Sequence, residues 1–111
     1  MENQEKAKDF RKSQGFRTLK KAMLENLAER GLDQTVYIDK VEEYMDFWAL
    51  RQELKADIAR RGLTVTDDRG RQTENRSVSM SVQVSRQMMA LFNSMGFKLS
   101  DFMGAGEDDD L

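Results

Sequence analysis

Apolar residues recur at helical spacing in three stretches of the chain. Phe16, Leu19, Met23 and Leu27 share one face of a helix predicted from about 13 to 30, with Leu24 and Ala28 widening the face and Gly31 as its stop. A second helix is predicted from about 36 to 61, roughly seven turns, with Asp33 or Thr35 as its cap. Tyr37, Val41, Tyr44, Met45, Trp48 and Ile58 form one of its faces, and Phe47, Leu50 and Leu54 populate another. A helix apolar on two sides has a partner on each. One partner is the first helix, joined by a short loop as an antiparallel pair. The other is either the last helix or a neighbouring subunit.

Between the second and third helices the period changes. Arg60-Arg61 ends a helix at Gly62, and the cations complement the negative end of its dipole. Leu63-Thr64-Val65-Thr66 alternates apolar with polar and is rich in β-branched residues, so it reads as a half-buried strand. Asp67-Asp68-Arg69-Gly70 is turn chemistry, and Arg71-Gln72-Thr73 returns without a large apolar side chain. A two-stranded ribbon with so weak a second strand must lean on helices or pair with another copy. Ser77, or alternatively Asn75, caps the last helix. Val78, Met80, Val82 and Val84 alternate with polar residues as in a strand, but Met88, Met89, Phe92 and Met95 recur at three and four. No breaker separates the two patterns, so one continuous helix is expected as far as Gly96. Beyond it, Ser100-Asp101 can cap a further turn, with Phe102 and Met103 docking back.

The architecture expected is mainly α: an N-terminal antiparallel helical hairpin with a long second helix, a short β-hairpin, then a C-terminal helix. Residues 1–15 form a basic flexible arm, 16–103 a single helical domain with its β-hairpin at 63–74, and 104–111 an acidic flexible tail opened by Gly104-Ala105-Gly106.

Composition sharpens this picture. The chain has 111 residues, 39% hydrophobic and 34% charged, with no proline, which suits a subunit with long exposed helices. The net charge of −2 is unevenly spread: +3 over 1–31, −4 over 32–59, +2 over 60–76 and −3 over 77–111. Lys6, Lys8, Arg11, Lys12, Arg17, Lys20 and Lys21 cluster in and just beyond the arm. The cluster reads either as a phosphate-contacting element or as a solvated tail. Glu107, Asp108, Asp109 and Asp110 repel one another and stay disordered unless a basic partner takes them.

The chemistry is mostly exclusion. With no cysteine, disulfides and thiolate-bound zinc or iron–sulfur sites are ruled out, and with no histidine so is a histidine-dependent triad. Neither a phosphate loop nor a dinucleotide fingerprint is present. Asp67, Asp68 and Glu74 could in principle hold magnesium and serve a nuclease, yet Asp67 and Asp68 sit where a turn favours aspartate for backbone reasons. No metal, no cofactor and no enzymatic activity are expected. No signal peptide and no membrane-length apolar run are found, which points to the cytoplasm.

One order of parts resembles a known family. A basic helix end is followed by Gly62-Leu63-Thr64-Val65-Thr66, a turn, Gly70-Arg71, a few polar residues, Asn75, and a long helix ending Met95-Gly96-Phe97. This resembles the C-terminal half of the small terminase subunits of tailed phages, in their helix-hairpin-helix subgroup. In that family the residue after the asparagine is usually proline and the last helix ends Leu-Gly-Leu. Here Arg76 and Met95-Gly96-Phe97 stand in those places. The likeness covers about the last half of the chain and, more weakly, the helix before it.

The resemblance implies a non-catalytic subunit that assembles into homo-oligomeric rings and binds double-stranded viral DNA. It would present that DNA to a large terminase subunit carrying the ATPase and nuclease, in the host cell cytoplasm during phage assembly. Residue roles then follow from charge and periodicity. Lys6, Lys8, Arg11, Lys12, Arg17, Lys20 and Lys21, with Arg69 and Arg71, are the expected DNA contacts. Tyr44, Phe47, Trp48 and Leu54, with Met88 and Phe92, are the expected ring contacts. Glu107, Asp108, Asp109 and Asp110 are the expected site for the large subunit. The rival reading is a small phage or prophage DNA-binding transcriptional regulator. Its compact helix-turn-helix is not evident, since the turn after Arg30 joins helices that are too long. A helical adaptor with no nucleic-acid role is a third class.

Overall fold

Ser13 opens the first α-helix. In the computed structural model, which describes residues 9–103, its hydroxyl accepts from the Phe16 amide at 3.2 Å and donates to the Phe10 carbonyl at 2.8 Å. One serine thus caps helix α1 (Gln14–Glu29) and closes the 3-10 turn Phe10–Lys12 before it. Within the span assigned by sequence to the arm, residues 10–12 form this turn and Gln14 and Gly15 open α1. The turn is tethered to the second helix as Arg11 donates to Asp46 at 3.2 Å.

α1 and helix α3 (Arg76–Ser94) end in the same way. The Leu32 amide reaches back to the Leu27 carbonyl and that of Gly31 to Ala28, while Phe97 reaches Phe92 and Gly96 reaches Asn93. Both are Schellman motifs, and each requires a left-handed residue, supplied by Gly31 at φ 76° and Gly96 at φ 74°. The accompanying apolar contact is present after α3, where the Phe92 and Phe97 rings lie 5.4 Å apart.

α2 (Thr35–Arg61) has Gln34 at its N-cap position and no side-chain cap. Neither Asp33 nor Thr35 takes that role. The Gln34 carbonyl instead accepts from the Tyr37 and Ile38 amides, and its side chain turns back to the Gly31 carbonyl. The short link out of α1 leaves the backbone to start the helix.

The two apolar sides of α2 find partners within the subunit. Toward α1 and the end of α3, Met23, Leu27, Val41, Met45, Met95 and Phe97 form the main core. Farther along, Leu54, Val84 and Met88 form a smaller core with Phe47 and Leu50. Tyr44 and Trp48 touch both. A last 3-10 turn, Leu99–Phe102, returns Phe102 onto Phe92 and Phe97 at 5.8 and 4.7 Å. Met103 does not follow it and remains 80% exposed.

The hairpin pairs β1 (Thr64–Thr66) with β2 (Gln72–Glu74), Val65 opposite Thr73. Every strand residue except Val65 is exposed. The ribbon is secured at its two ends instead. At the tip, Asp67 Oδ1 accepts from the Arg69 and Arg71 amides, both at 2.9 Å. At the base, the Asn75 amide donates to the Leu63 carbonyl at 2.8 Å.

Asn75 rather than Ser77 caps α3. It is fully buried, and its Oδ1 accepts from the Ser77 amide at 2.9 Å while its Nδ2 donates to the Gly62 carbonyl at 2.9 Å. Ser77 has another duty, donating from its hydroxyl to Asp57 Oδ2 at 2.7 Å. The alternating Val78–Val84 stretch lies on one continuous helix, as expected. Val84 is buried there, but Val82 is left 48% exposed.

Candidate nucleic-acid interface

The positions of α1 that face away from the core carry charge. Arg17, Lys20 and Lys21 project from one side, and the 3-10 turn adds Arg11. Together they rim a shallow groove of about 500 Å³ with Phe16, Leu24 and Ala28 among its lining. Glu25 is the acid on the rim. Lys12 is exposed beside it, and its carbonyl accepts from the Arg17 guanidinium.

The rim cations have acidic neighbours, but open ones. Arg11 lies 3.2 Å from Asp46, Lys20 3.6 Å from Glu42, and Lys21 4.0 Å from Glu25. Those acids keep 58–65% of their side-chain surface exposed. Exposed pairs of this kind contribute little and are readily exchanged for another anion. The arrangement is therefore suited to phosphates, carboxylates or other surface anions rather than to proton transfer or metal chemistry.

Arg69 and Arg71 do not join this face. They sit at the hairpin tip, on the far part of a molecule 56 Å long, and Arg71 Nε is held by Asp67 Oδ2 at 3.1 Å. The Asp67 carboxylate takes these bonds and is held below the usual carboxylate range, first by the Arg71 amide and then, against desolvation, by the Arg69 amide. That is the backbone role expected for a turn aspartate. Among the described residues no cluster of acids is placed to hold a metal ion. Lys6, Lys8, Glu107, Asp108, Asp109 and Asp110 lie outside the described residues.

Charge also gathers at the hairpin base, where sequence reading named no site. Asp57 accepts from Arg60 at 2.6 Å, from Arg61 at 2.8 and 2.7 Å, and from Ser77. Only 15% of its side chain is exposed. Bonds from Arg61 first, then Ser77, outweigh desolvation and hold its carboxyl far below the ordinary range. Arg61 also donates to Asn75 Oδ1 at 3.1 Å. This network fixes the angle between α2, the ribbon and α3. Its spacing was visible in sequence, with Asp57 and Arg61 one helical turn apart, but its link to Ser77 required the fold.

The residues expected at ring contacts are distributed unevenly. Leu54 and Met88 are buried against each other's surroundings in the smaller core. Trp48 lies edge-on to Phe16 at 5.8 Å, and Tyr44 is tilted against Phe92 at 6.1 Å. Burial raises the Tyr44 hydroxyl above its ordinary pKa, partly offset by Arg51. Phe47 borders Val84 and Gln87 on a third side. Among the exposed apolar side chains are Val82, Met89 and Leu99, at 48%, 62% and 82%. They open onto two adjoining hollows between α2 and α3 that share Arg51, Ser85 and Met89. Spacing of three and four along α3 connects Val82, Ser85 and Met89, a signal that the valine-rich alternation obscured.

Comparison with known proteins adds one finding. The sequence model of the family described as "Phage terminase, small subunit" matches residues 18–105, from the second turn of α1 to just past the last 3-10 turn. Neither a curated protein nor a solved structure matches the chain.

Proposed function

The chain belongs to the family of phage terminase small subunits, and from that premise we propose that it binds double-stranded viral DNA and presents it to the large terminase subunit. The family is one of phage DNA packaging. In this reading the chain is non-catalytic and acts in the host cytoplasm. No helix among the described residues is long and apolar enough to cross a membrane.

The observation that carries the DNA reading is the α1 face. Arg11, Arg17, Lys20 and Lys21 lie together around one groove; Arg11, Lys20 and Lys21 have exposed acids as ion-pair partners, and Arg17 donates to the Lys12 carbonyl. Phosphates can displace those acids, with counterion release as the driving force. Lys6, Lys8 and Lys12 extend the same basic block in sequence, and Arg69 and Arg71 form a separate contact at the ribbon tip. Copies of the chain assemble as a ring through the outer α2–α3 surface, on which Val82, Met89 and Leu99 are exposed. Adjacent apolar side chains of this kind mark an interaction surface. The acidic segment 107–110 serves the large subunit.

Replacing Arg11, Arg17, Lys20 and Lys21 together by alanine tests the DNA face. Duplex affinity is measured across salt concentrations. The variant is expected to bind more weakly, with a log–log salt slope shallower by about 3–4, since each phosphate left without its cation lowers the slope by about one. An unchanged affinity and slope would remove α1 from the DNA interface.

A further inference from the structure

The described chain stops at Met103, just past a 3-10 turn that rests on α1. The eight residues that follow are Gly104-Ala105-Gly106-Glu107-Asp108-Asp109-Asp110-Leu111. We infer that this acidic segment docks in the α1 groove of its own chain and masks the basic face from other anions.

Three observations support the match. Charge is complementary, since Arg11, Arg17, Lys20 and Lys21 offer four cations and Glu107 to Asp110 four acids. Shape and polarity agree as well. The groove has an apolar floor in Phe16 and Leu24, and the acidic run is followed by Leu111. Reach decides between the basic regions. Seven residues separate Met103 from Asp110, an extended span of at most about 25 Å. α1 is about 24 Å long, so its whole face is within range. The hairpin cations are not. α2 rises about 27 Å between Tyr44, which packs beside the chain end, and Gly62, and the ribbon extends farther.

The consequence for DNA rests on the function proposed above; the docking itself does not. Segment and duplex would compete for the same four side chains. A partner that captures the segment would then free the face for DNA.

Zero-length carbodiimide coupling tests the docking without DNA. The full chain is coupled at low salt, digested with trypsin, and read by mass spectrometry, using a mixture of ¹⁵N-labelled and unlabelled copies. The expected product joins Lys20 or Lys21 to a carboxylate of 107–110, with both peptides carrying the same isotope, and it disappears at 1 M salt, where the Debye length is about 3 Å. Coupling of the segment only to Lys98 or Lys40, no coupling, or mixed-isotope pairs would overturn the inference. Masking is tested in the full chain by Glu107→Gln with Asp108→Asn, Asp109→Asn and Asp110→Asn. Duplex affinity at low salt should rise several-fold, and an unchanged affinity would refute masking. Absence of DNA binding by both forms, with the cross-link intact, would instead count against the proposed DNA function.

Discussion

The two ends of α2 are held by different physics. Around its N-terminal half, Met23, Leu27, Val41, Met45 and Met95 are at most 1% exposed, and the Phe92, Phe97 and Phe102 rings close over them. Around its C-terminal turn the apolar core thins to Leu54, Val84 and Met88, and beyond these the structure is polar. There Asp57, Arg61, Asn75 and Ser77 join three elements through directed bonds. Apolar burial is non-directional and tolerates small shifts, whereas a buried hydrogen-bond network fixes angles and fails when one member is lost. The first end sets stability; the second sets where the ribbon points.

The contrast can be broken most severely at the apolar end. Met45→Ala removes a side chain 1% exposed from the main core and should cost about 2–5 kcal/mol, measured by denaturant unfolding. The loss should lower protection of all three helices in hydrogen exchange alike. At the polar end, Asn75→Ala removes the α3 cap and strands the Gly62 carbonyl, for about 2–3 kcal/mol. Its signature differs, because amides of the ribbon and the first turn of α3 should exchange faster than those of the α1–α2 core. If they slow or accelerate in step with the core, the two ends are one cooperative unit.

Asp57 sharpens the comparison through pH. Its carboxyl is held below the ordinary range, so the unfolded chain takes up a proton there while the folded chain does not. Stability from this site is complete above the unfolded pKa and is lost as pH falls below about 5. Asp57→Asn should cost about 1–3 kcal/mol at neutral pH and flatten the acid limb of the stability curve. An acid limb as steep as that of the parent protein would show that other carboxylates carry it. The smallest effect is expected at Arg30, which links the C-terminal ends of α1 and α3. This residue donates to the Met95 carbonyl at 2.8 Å and lies over the Phe97 ring at 5.4 Å, a cation at the C-terminal end of α3. Arg30→Ala should cost about 1 kcal/mol, seen as a shift in thermal midpoint of a few degrees.

What sequence could show follows the same division. The apolar stripe of α1 and the faces of α2 were legible because burial repeats with the helical period, and Met23, Leu27, Val41 and Met45 are core as expected. The α3 start was ambiguous locally, since Asn75 and Ser77 both satisfy the rules for a cap. Asp57, twenty residues earlier, resolves it by engaging the serine hydroxyl. Periodicity also cannot distinguish a helix of the same chain from one of a neighbour. Leu54 and Met88, expected at ring contacts, are buried in the smaller core of the subunit. Arg11, Arg17, Lys20 and Lys21 were grouped only by their nearness in sequence; the turn that Ser13 closes brings Arg11 to the groove lined by the other three.

The central claim is that this packaging-family subunit works as an assembly built on the outer α2–α3 surface. Native mass across protein concentration and salt tests it most directly, for the parent chain and for Met89→Glu, whose side chain is 62% exposed in the single subunit. A discrete species of many subunits is predicted for the parent, and dissociation with unchanged helical content for the variant. A parent chain that stays monomeric at every concentration would contradict the claim.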